Sequence, residues 1–189
     1  MKKVFKRVLM YSGGMDSWII DKLWKPDVKV FVNFHTKGSE EEIKRLPSDV
    51  IVKDFDIKEF EVQDEHKLLP MRNLLLAIIG TYYGDEVCLG SIGGSVHRDN
   101  NNEFARKTTD LLNYLYEEQN RKVNIVLPYC NTSKTELVKL YKDAGGDLEK
   151  AYNESFSCYT PDENGNECGE CISCKQKIEA FKNNGFYKH

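Results

Sequence analysis

The chain has 189 residues, of which 40% are hydrophobic and 30% charged, close to the averages of an ordinary globular protein. This length allows one domain with a hydrophobic core and a small appendage. The formal net charge of -3 argues against tight binding to long nucleic acid, which usually requires a basic excess. No apolar run approaches the roughly 20 residues that span a bilayer, and the apolar stretch at residues 8–11 is too short for a signal peptide. We therefore expect a cytoplasmic protein without a membrane segment.

Predicted strands and helices alternate from residue 4 to about residue 145. Residues 7–11 and 28–35 are short, apolar and rich in β-formers, and residues 16–24 between them have an apolar helical face. Strand, tight turn, helix and strand in this order indicate a βαβ unit and hence a parallel sheet. The further predicted elements are strands at 49–57, 86–90 and 124–127 and helices at 69–83, 103–119 and 135–144. The sequence thus predicts an α/β fold with a parallel, Rossmann-like sheet.

The chain changes character at residue 153, beyond which it is polar, rich in Gly and Cys, and ends in a short helix at roughly 172–182. We therefore divide it into a domain of residues 1–152 and a C-terminal segment of residues 153–189. The segment contains four cysteines with the spacing C-x9-C-x2-C-x2-C: Cys158, Cys168, Cys171 and Cys174. In a chain without an export signal, such a cluster favours metal binding over disulfides.

Four thiolates complete a tetrahedral zinc shell and leave no position for water, so the segment is interpreted as a structural Zn²⁺ site. An iron–sulfur cluster remains an alternative at this stage. Cys88 and Cys130 stand alone in apolar surroundings and are interpreted as core residues.

The first predicted strand is followed by a glycine-rich hexapeptide, Ser12-Gly13-Gly14-Met15-Asp16-Ser17. The glycines allow a sharp turn, and the helix behind them presents N–H groups and a partial positive charge to an anion. Ser12 and Ser17 add hydroxyl donors, while Asp16 is placed to hold Mg²⁺ or to orient the loop. No lysine follows the glycines, so this is not the P-loop of other nucleotide-binding proteins. The alternative is a glycine-rich turn that binds no ligand.

The hexapeptide resembles the S-G-G-x-D-S motif of the PP-loop, or N-type, ATP pyrophosphatases, which adenylate a carbonyl oxygen and release pyrophosphate. Together with the four cysteines, it makes the chain similar to the 7-cyano-7-deazaguanine (preQ0) synthases of queuosine biosynthesis. The segments that carry this resemblance, in chain order, are Pro70-Met71-Arg72-Asn73, Pro128-Tyr129, Ser133-Lys134-Thr135-Glu136 and Ser157-Cys158-Tyr159. The resemblance implies an adenine nucleotide alpha hydrolase-like fold, with residues 1–152 as the PP-loop domain.

The resemblance also implies roles for individual residues. ATP phosphates and Mg²⁺ would be bound by Ser12, Gly13, Gly14, Asp16 and Ser17. Lys134 would be a second phosphate contact that stabilises the departing pyrophosphate, although a solvated surface lysine is the alternative. Asp16, Lys134 and Arg72 would be the catalytic groups.

The remaining implied residues surround the nucleotide and substrate. Arg72 and Asn73 would line this pocket; otherwise they are an exposed cation and a helix cap. Gly90 would end a strand where ligands of such sheets collect, or it is a simple turn glycine. Asp99 matches the family aspartate that faces the deazaguanine ring, and a carboxylate can pair with the N–H groups of a guanine-like edge.

Two segments depart from the family pattern. Asn33 stands where the family has an acidic residue, and the loop of residues 93–101 is shortened, with His97 and Asn101 replacing a tyrosine and an arginine.

The implied reaction uses ATP to adenylate 7-carboxy-7-deazaguanine, ammonia to form the amide, and a second ATP to form the nitrile. Because the substrate loop departs from the family pattern, alternative reactions are an enzyme that stops at the amide and one that uses a related purine-like acid. Alternatives are a PP-loop ATPase of tRNA thiolation and a non-catalytic nucleotide-binding regulator. Similar enzymes form homodimers.

Overall fold

The computed structural model describes residues 5–35, 37–60, 71–93 and 97–187. Its described part contains one parallel sheet of five strands in the order β3-β2-β1-β4-β5. The strands are β1 (Arg7–Met10), β2 (Val28–Asn33), β3 (Val50–Asp54), β4 (Glu86–Leu89) and β5 (Asn124–Val126). The chain winds outward from β1 to β3 and then returns to the other side of β1. The strand order therefore reverses between β1 and β4, and ligands of such sheets bind at this point, beyond the carboxyl ends of the strands.

Helices cover both faces of the sheet. They are α1 (Met15–Trp24), α2 (Lys37–Ile43), α3 (Arg72–Thr81), α4 (Asn102–Leu115), α5 (Lys134–Asp143), α6 (Leu148–Glu154) and α7 (Ile172–Lys182). Alternate strand residues point to opposite faces. Leu9 and Phe31 pack with α1, α5, α6 and α7, while Val8 and Val30 pack with α3 and α4. The result is a three-layer α/β structure, as the sequence predicts.

Helix α3 lies unusually close to the sheet. A Cβ atom built on Gly80 would stand only 2.4 Å from Cγ1 of Val87 on β4 and 3.0 Å from Sδ of Met10 on β1. The absence of a side chain at this position therefore permits the close approach of helix and sheet.

The element boundaries differ in places from those predicted. The third strand ends at Asp54 instead of residue 57. The helix predicted at 69–83 begins at Arg72, after the N-cap Met71, and ends at Thr81; residues 69 and 70 lie outside the described part. Helices α2 and α6 were not predicted. Cys88 and Cys130 are both buried, which confirms their interpretation as core residues.

The C-terminal segment shares the core of the preceding domain. Ala180 and Phe181 on α7 are fully buried in the cluster that contains Leu9, and the ring of Phe181 meets that of Tyr152 edge to face at 5.2 Å. The division at residue 152 stays a prediction. Within the described residues, no helix has the length and apolar character that crossing a bilayer requires.

Candidate functional site

The glycine-rich hexapeptide forms a closed turn between β1 and α1. Gly13 has a φ of +77°, a backbone conformation that favours glycine. The hydroxyls of Ser12 and Ser17 lie 3.1 Å apart, and Oγ of Ser17 accepts a hydrogen bond from Ser12 N at 3.2 Å and donates to Gly14 O at 3.1 Å. Because these bonds fix the turn internally, its two hydroxyls and the first N–H groups of α1 are gathered at the carboxyl end of β1. This is the arrangement that binds anions in loops before helices.

Asp16, in the first turn of α1, forms an ion pair with Lys134. Nζ of Lys134 lies 2.7 Å from Oδ2 of Asp16, while the buried Oδ1 of Asp16 has no hydrogen-bond partner among the described residues. Carboxylate oxygens are preferred Mg²⁺ ligands, so this unsatisfied atom fits a metal ion beside the loop. A buried acceptor without a hydrogen-bond partner costs free energy. A purely structural role therefore does not explain this oxygen.

Lys134 reaches Asp16 because of how α5 begins. Ser133 is the N-cap of this helix: its hydroxyl accepts from Glu136 N at 3.2 Å, and the Glu136 carboxylate accepts from Ser133 N at 2.8 Å. This capping box makes Lys134 the first residue of the helix. The S-K-x-E pattern therefore supplies both the start of the helix and the position of the cation.

Gly90 follows β4 on the other side of the reversal point. A Cβ atom built on it would lie 3.6 Å from Cβ of Ser17 and 3.7 Å from Met10 O. The structure thus places Gly90 directly beside the hexapeptide, as expected for a residue at the carboxyl end of the neighbouring strand.

The predicted substrate residues lie around the loop after β4. Nδ2 of Asn73 donates to Asp99 O at 3.0 Å, so α3 is tied to this loop. The N-cap of α3 is Met71, and Asn73 is not a cap; Arg72 is exposed. Pro70 and residues 94–96 lie outside the described residues. The roles assigned to Arg72, Asn73 and Asp99 stay predictions.

The same loop contains an asparagine that the sequence did not single out. Nδ2 of Asn100 donates to Ile92 O at 3.0 Å, while its buried Oδ1 has no partner within the described ranges. The unpaired Oδ1 can accept an N–H from a ligand. Asn101, which replaces a family arginine, is the N-cap of α4 and accepts from Phe104 N at 2.9 Å.

The Asn33 departure has a local explanation. Oδ1 of Asn33 accepts from His35 N at 3.0 Å and from the Ser39 hydroxyl at 2.9 Å, while its Nδ2 donates to Oδ1 of Asp54 at 3.0 Å. An acidic residue at this position would repel Asp54 instead of donating to it. The amide therefore closes the loop after β2 with its polar atoms paired.

The four C-terminal cysteines converge. The Sγ atoms of Cys158, Cys168, Cys171 and Cys174 all lie within 4.8 Å of one another. Zn–S bonds of about 2.3 Å place four thiolates about 3.8 Å apart around one tetrahedral ion, so the set fits a single metal with little adjustment. In a four-iron cluster each cysteine binds a different iron, which requires more widely separated sulfurs.

Hydrogen bonds to Sγ of Cys168 favour the thiolate form of this residue, whereas burial raises the pKa of Cys158 and Cys174. Sγ of Cys168 accepts from Cys171 N at 3.3 Å and from the Thr160 hydroxyl at 3.5 Å. The Thr160 hydroxyl is the main cause that lowers the pKa of Cys168 to about 6, followed by the backbone N–H groups of Cys171 and Glu170.

Residues 43–185 match the model of the family described as queuosine biosynthesis protein QueC. The chain belongs to this family. The resemblance inferred from the motifs is therefore confirmed. The matched residues 43–185 include the four cysteines and Lys134 but not the hexapeptide. The interpretation of the hexapeptide therefore depends on its geometry and on the relatives that match nearly the whole chain.

Curated relatives support the QueC assignment over nearly the whole chain. The 7-cyano-7-deazaguanine synthase of Sulfurihydrogenibium sp. is 25% identical over 93% of this chain and 93% of its own. The enzyme of the same name from Rickettsia conorii is 24% identical (97% and 96% covered), and that from Alteromonas mediterranea is 27% identical (94% and 94%).

Solved structures are also similar, and one of them is a tRNA thiolase. The U34-tRNA thiolase NcsA from Methanococcus maripaludis, described with its [4Fe-4S] cluster, has a TM-score of 0.43 and 16% identity. The match covers 96% of this chain but only 64% of the thiolase. A similarity at this level carries no functional argument for a QueC family member.

Sequence reasoning missed an ion pair in the C-terminal segment, formed by the buried Lys177 and the partly buried Glu167. Lys177 is 1% exposed, and its Nζ lies 2.9 Å from Oε2 of Glu167. A signal was present, because Lys177 is three residues from Cys174 and from Ala180, on the apolar side of α7.

Proposed function

We propose that this chain is an ATP-dependent 7-cyano-7-deazaguanine synthase that acts in the cytoplasm. It adenylates the carboxylate of 7-carboxy-7-deazaguanine with release of pyrophosphate, and ammonia displaces AMP to give the amide. A second ATP activates the amide oxygen, and loss of AMP leaves the nitrile. The observation that carries this proposal is the ion pair of Asp16 and Lys134 at the hexapeptide, where the buried Oδ1 of Asp16 finds no hydrogen-bond partner in the described part of the chain.

The chemistry needs no covalent nucleophile from the protein. The hydroxyls of Ser12 and Ser17 and the N–H groups at the start of α1 hold the two phosphoryl groups that leave. Lys134 offsets the charge that develops on them, which is the usual protein contribution to phosphate departure. Mg²⁺ bound at Oδ1 of Asp16 would further neutralise this charge. A charged group fixed in place before reaction needs little reorganisation, so positioning and electrostatics suffice.

The loop after β4 would select the substrate. Oδ1 of Asn100 and the carboxylate of Asp99 are acceptors, and the pyrimidine edge of a guanine-like ring presents N–H donors. Oδ1 of Asn100 has no hydrogen-bond partner in the ranges that the structure describes, and this supports the role because a bound N–H would satisfy it.

We also propose that the four cysteines hold one structural Zn²⁺. The compact set of sulfurs supports a single ion, and four thiolates leave no open position for catalysis. Metal analysis of purified protein should give about one zinc per chain; iron with sulfide and a visible absorbance band would identify a cluster instead.

The reaction is tested by measuring pyrophosphate release from ATP with and without 7-carboxy-7-deazaguanine and ammonium, followed by mass spectrometry of the product. Nitrile formation is the expected result, and the amide alone would limit the enzyme to its first step. Asp16→Asn provides a matched variant that should release little pyrophosphate. Release only with tRNA would support the thiolation alternative, and no release under any condition would support the regulator.

A further inference from the structure

The hexapeptide is held from outside by Phe156 and Ser157, here called the strap. Phe156 N donates to Gly13 O at 3.1 Å, and Met15 N donates to Oγ of Ser157 at 3.2 Å. The N-cap of α1 is Gly14, which has no side chain to accept from the first N–H groups of the helix. Ser157 therefore supplies a capping oxygen that the local sequence lacks, from 142 positions away.

The strap is fixed in turn by the ion pair of Glu167 and the buried Lys177. Oε1 of Glu167 accepts from Ser157 N at 2.5 Å, and its Oε2 lies 2.9 Å from Nζ of Lys177. The same Nζ donates to Ser155 O at 2.6 Å and stands 4.6 Å from the centre of the Tyr152 ring. A buried ammonium group is tolerated only where it is paired and hydrogen-bonded, so these contacts define its position closely. Ser157 in the strap and the carbonyl of Ser155 immediately before it are thereby fixed.

The same two stretches of chain carry the metal ligands. Ser157 precedes Cys158, and Glu167 precedes Cys168, whose N–H donates to Sγ of Cys158 at 3.3 Å. The cysteine cluster and the ion pair of Glu167 and Lys177 therefore hold together the two stretches of chain that contain Ser157 and Glu167. The strap connects this assembly to the hexapeptide.

We propose that the strap, held by Glu167 and Lys177, is a positioning element of the nucleotide site. It fixes Gly13 O and Met15 N and so keeps the hexapeptide in the conformation that receives phosphate. Ser157, Glu167 and Lys177 are positioning residues, since they act through the loop. This inference rests on the proposed function, in which the hexapeptide binds the phosphates of ATP. The competing account is that the pair only stabilises the C-terminal segment.

The test compares Ser157→Ala with Ser155→Ala in the metal-loaded protein. The two changes remove the same hydroxyl two residues apart, but Oγ of Ser155 donates to Ala151 O at 2.7 Å instead of contacting the loop. Calorimetry should give a dissociation constant for Mg·ATP about fivefold higher for Ser157→Ala, the effect of one lost hydrogen bond. Ser155→Ala should bind like the wild type, and Ser157→Thr should restore affinity. Steady-state kinetics should show the rise in KM for ATP and not for the deazapurine acid.

Glu167→Gln supplies a second variant, because an amide beside Lys177 keeps the shape and loses the charge. We expect Mg·ATP affinity about tenfold lower, with metal content and thermal unfolding still measurable in the same sample. Wild-type ATP affinity in both Ser157→Ala and Glu167→Gln would overturn this inference alone. A wild-type protein that binds no ATP would instead overturn the proposed function, and the inference with it.

Discussion

Replacing Lys134 by alanine tests whether this lysine is a catalytic group or only a surface residue. Its Nζ lies 2.7 Å from Oδ2 of Asp16, and the two side chains are 22% and 25% exposed. The change removes the positive charge of Lys134 from the hexapeptide and the lysine partner from Oδ2 of Asp16. The capping box of Ser133 and Glu136 is untouched, so α5 should still begin at the same place.

The expected effects on stability and on rate differ in size. A partly exposed ion pair contributes about 0–1 kcal/mol to folding. For a chain of this length, that corresponds to a fall in Tm of at most about 2–4 °C. A fixed charge that stabilises developing negative charge typically contributes about 100- to 1,000-fold to kcat. A large loss of pyrophosphate release with nearly unchanged Tm is therefore the result that we expect.

The assay is pyrophosphate release at saturating ATP and 7-carboxy-7-deazaguanine, paired with thermal unfolding of the same samples. Lys139→Ala is the matched control, since Lys139 is an exposed lysine on the same helix that pairs with Asp143. It should leave both quantities unchanged. A kcat for Lys134→Ala within about threefold of the wild type, or about 0.7 kcal/mol on the barrier, would refute the catalytic role and leave a surface lysine.

Three further results are expected. Removal of the metal by a chelator should lower Tm and loosen residues 153–187, which zinc should restore; an unchanged Tm would exclude a structural metal. Gly80→Ala should lower the unfolding free energy by about 1–3 kcal/mol, measured by urea titration, because its Cβ would overlap Val87 and the backbone must shift. Asn100→Leu should raise KM for the deazapurine acid about tenfold or more while KM for ATP stays constant. The change removes the Oδ1 acceptor, and a substrate N–H left unpaired in a buried site costs about 1–3 kcal/mol. Equal changes in both KM values would contradict a substrate contact.

The features that the sequence predicted are encoded locally. The hexapeptide lies within six consecutive positions, and its chemistry follows from two glycines and an adjacent helix start. The cysteines cluster within a short segment whose ligand type is fixed by composition. Apolar runs separated by helical patterns suffice to predict a parallel sheet. The family motif of Ser133 to Glu136 placed Lys134 just before a predicted helix, which begins at Lys134 in the structure.

The features that were missed depend on distant parts of the chain or on weak local signals. Helix α2 is mostly polar and helix α6 has only seven residues, so neither shows a sustained apolar period. The contact of Ser157 with Met15 joins residues 142 positions apart. The pairing of Glu167 with Lys177 becomes visible only when α7 packs on the core, because a lysine in isolation is typical of a solvated surface.

The distant origin of the oxygen that caps α1 has a consequence for synthesis. The ribosome adds about 5–20 residues per second, so roughly 7–30 s pass between the addition of Met15 and that of Ser157, 142 positions later. During that interval the nascent hexapeptide lacks its strap. A chain released early, even one that ends after β5, would therefore contain the whole glycine turn and still lack the support that completes it.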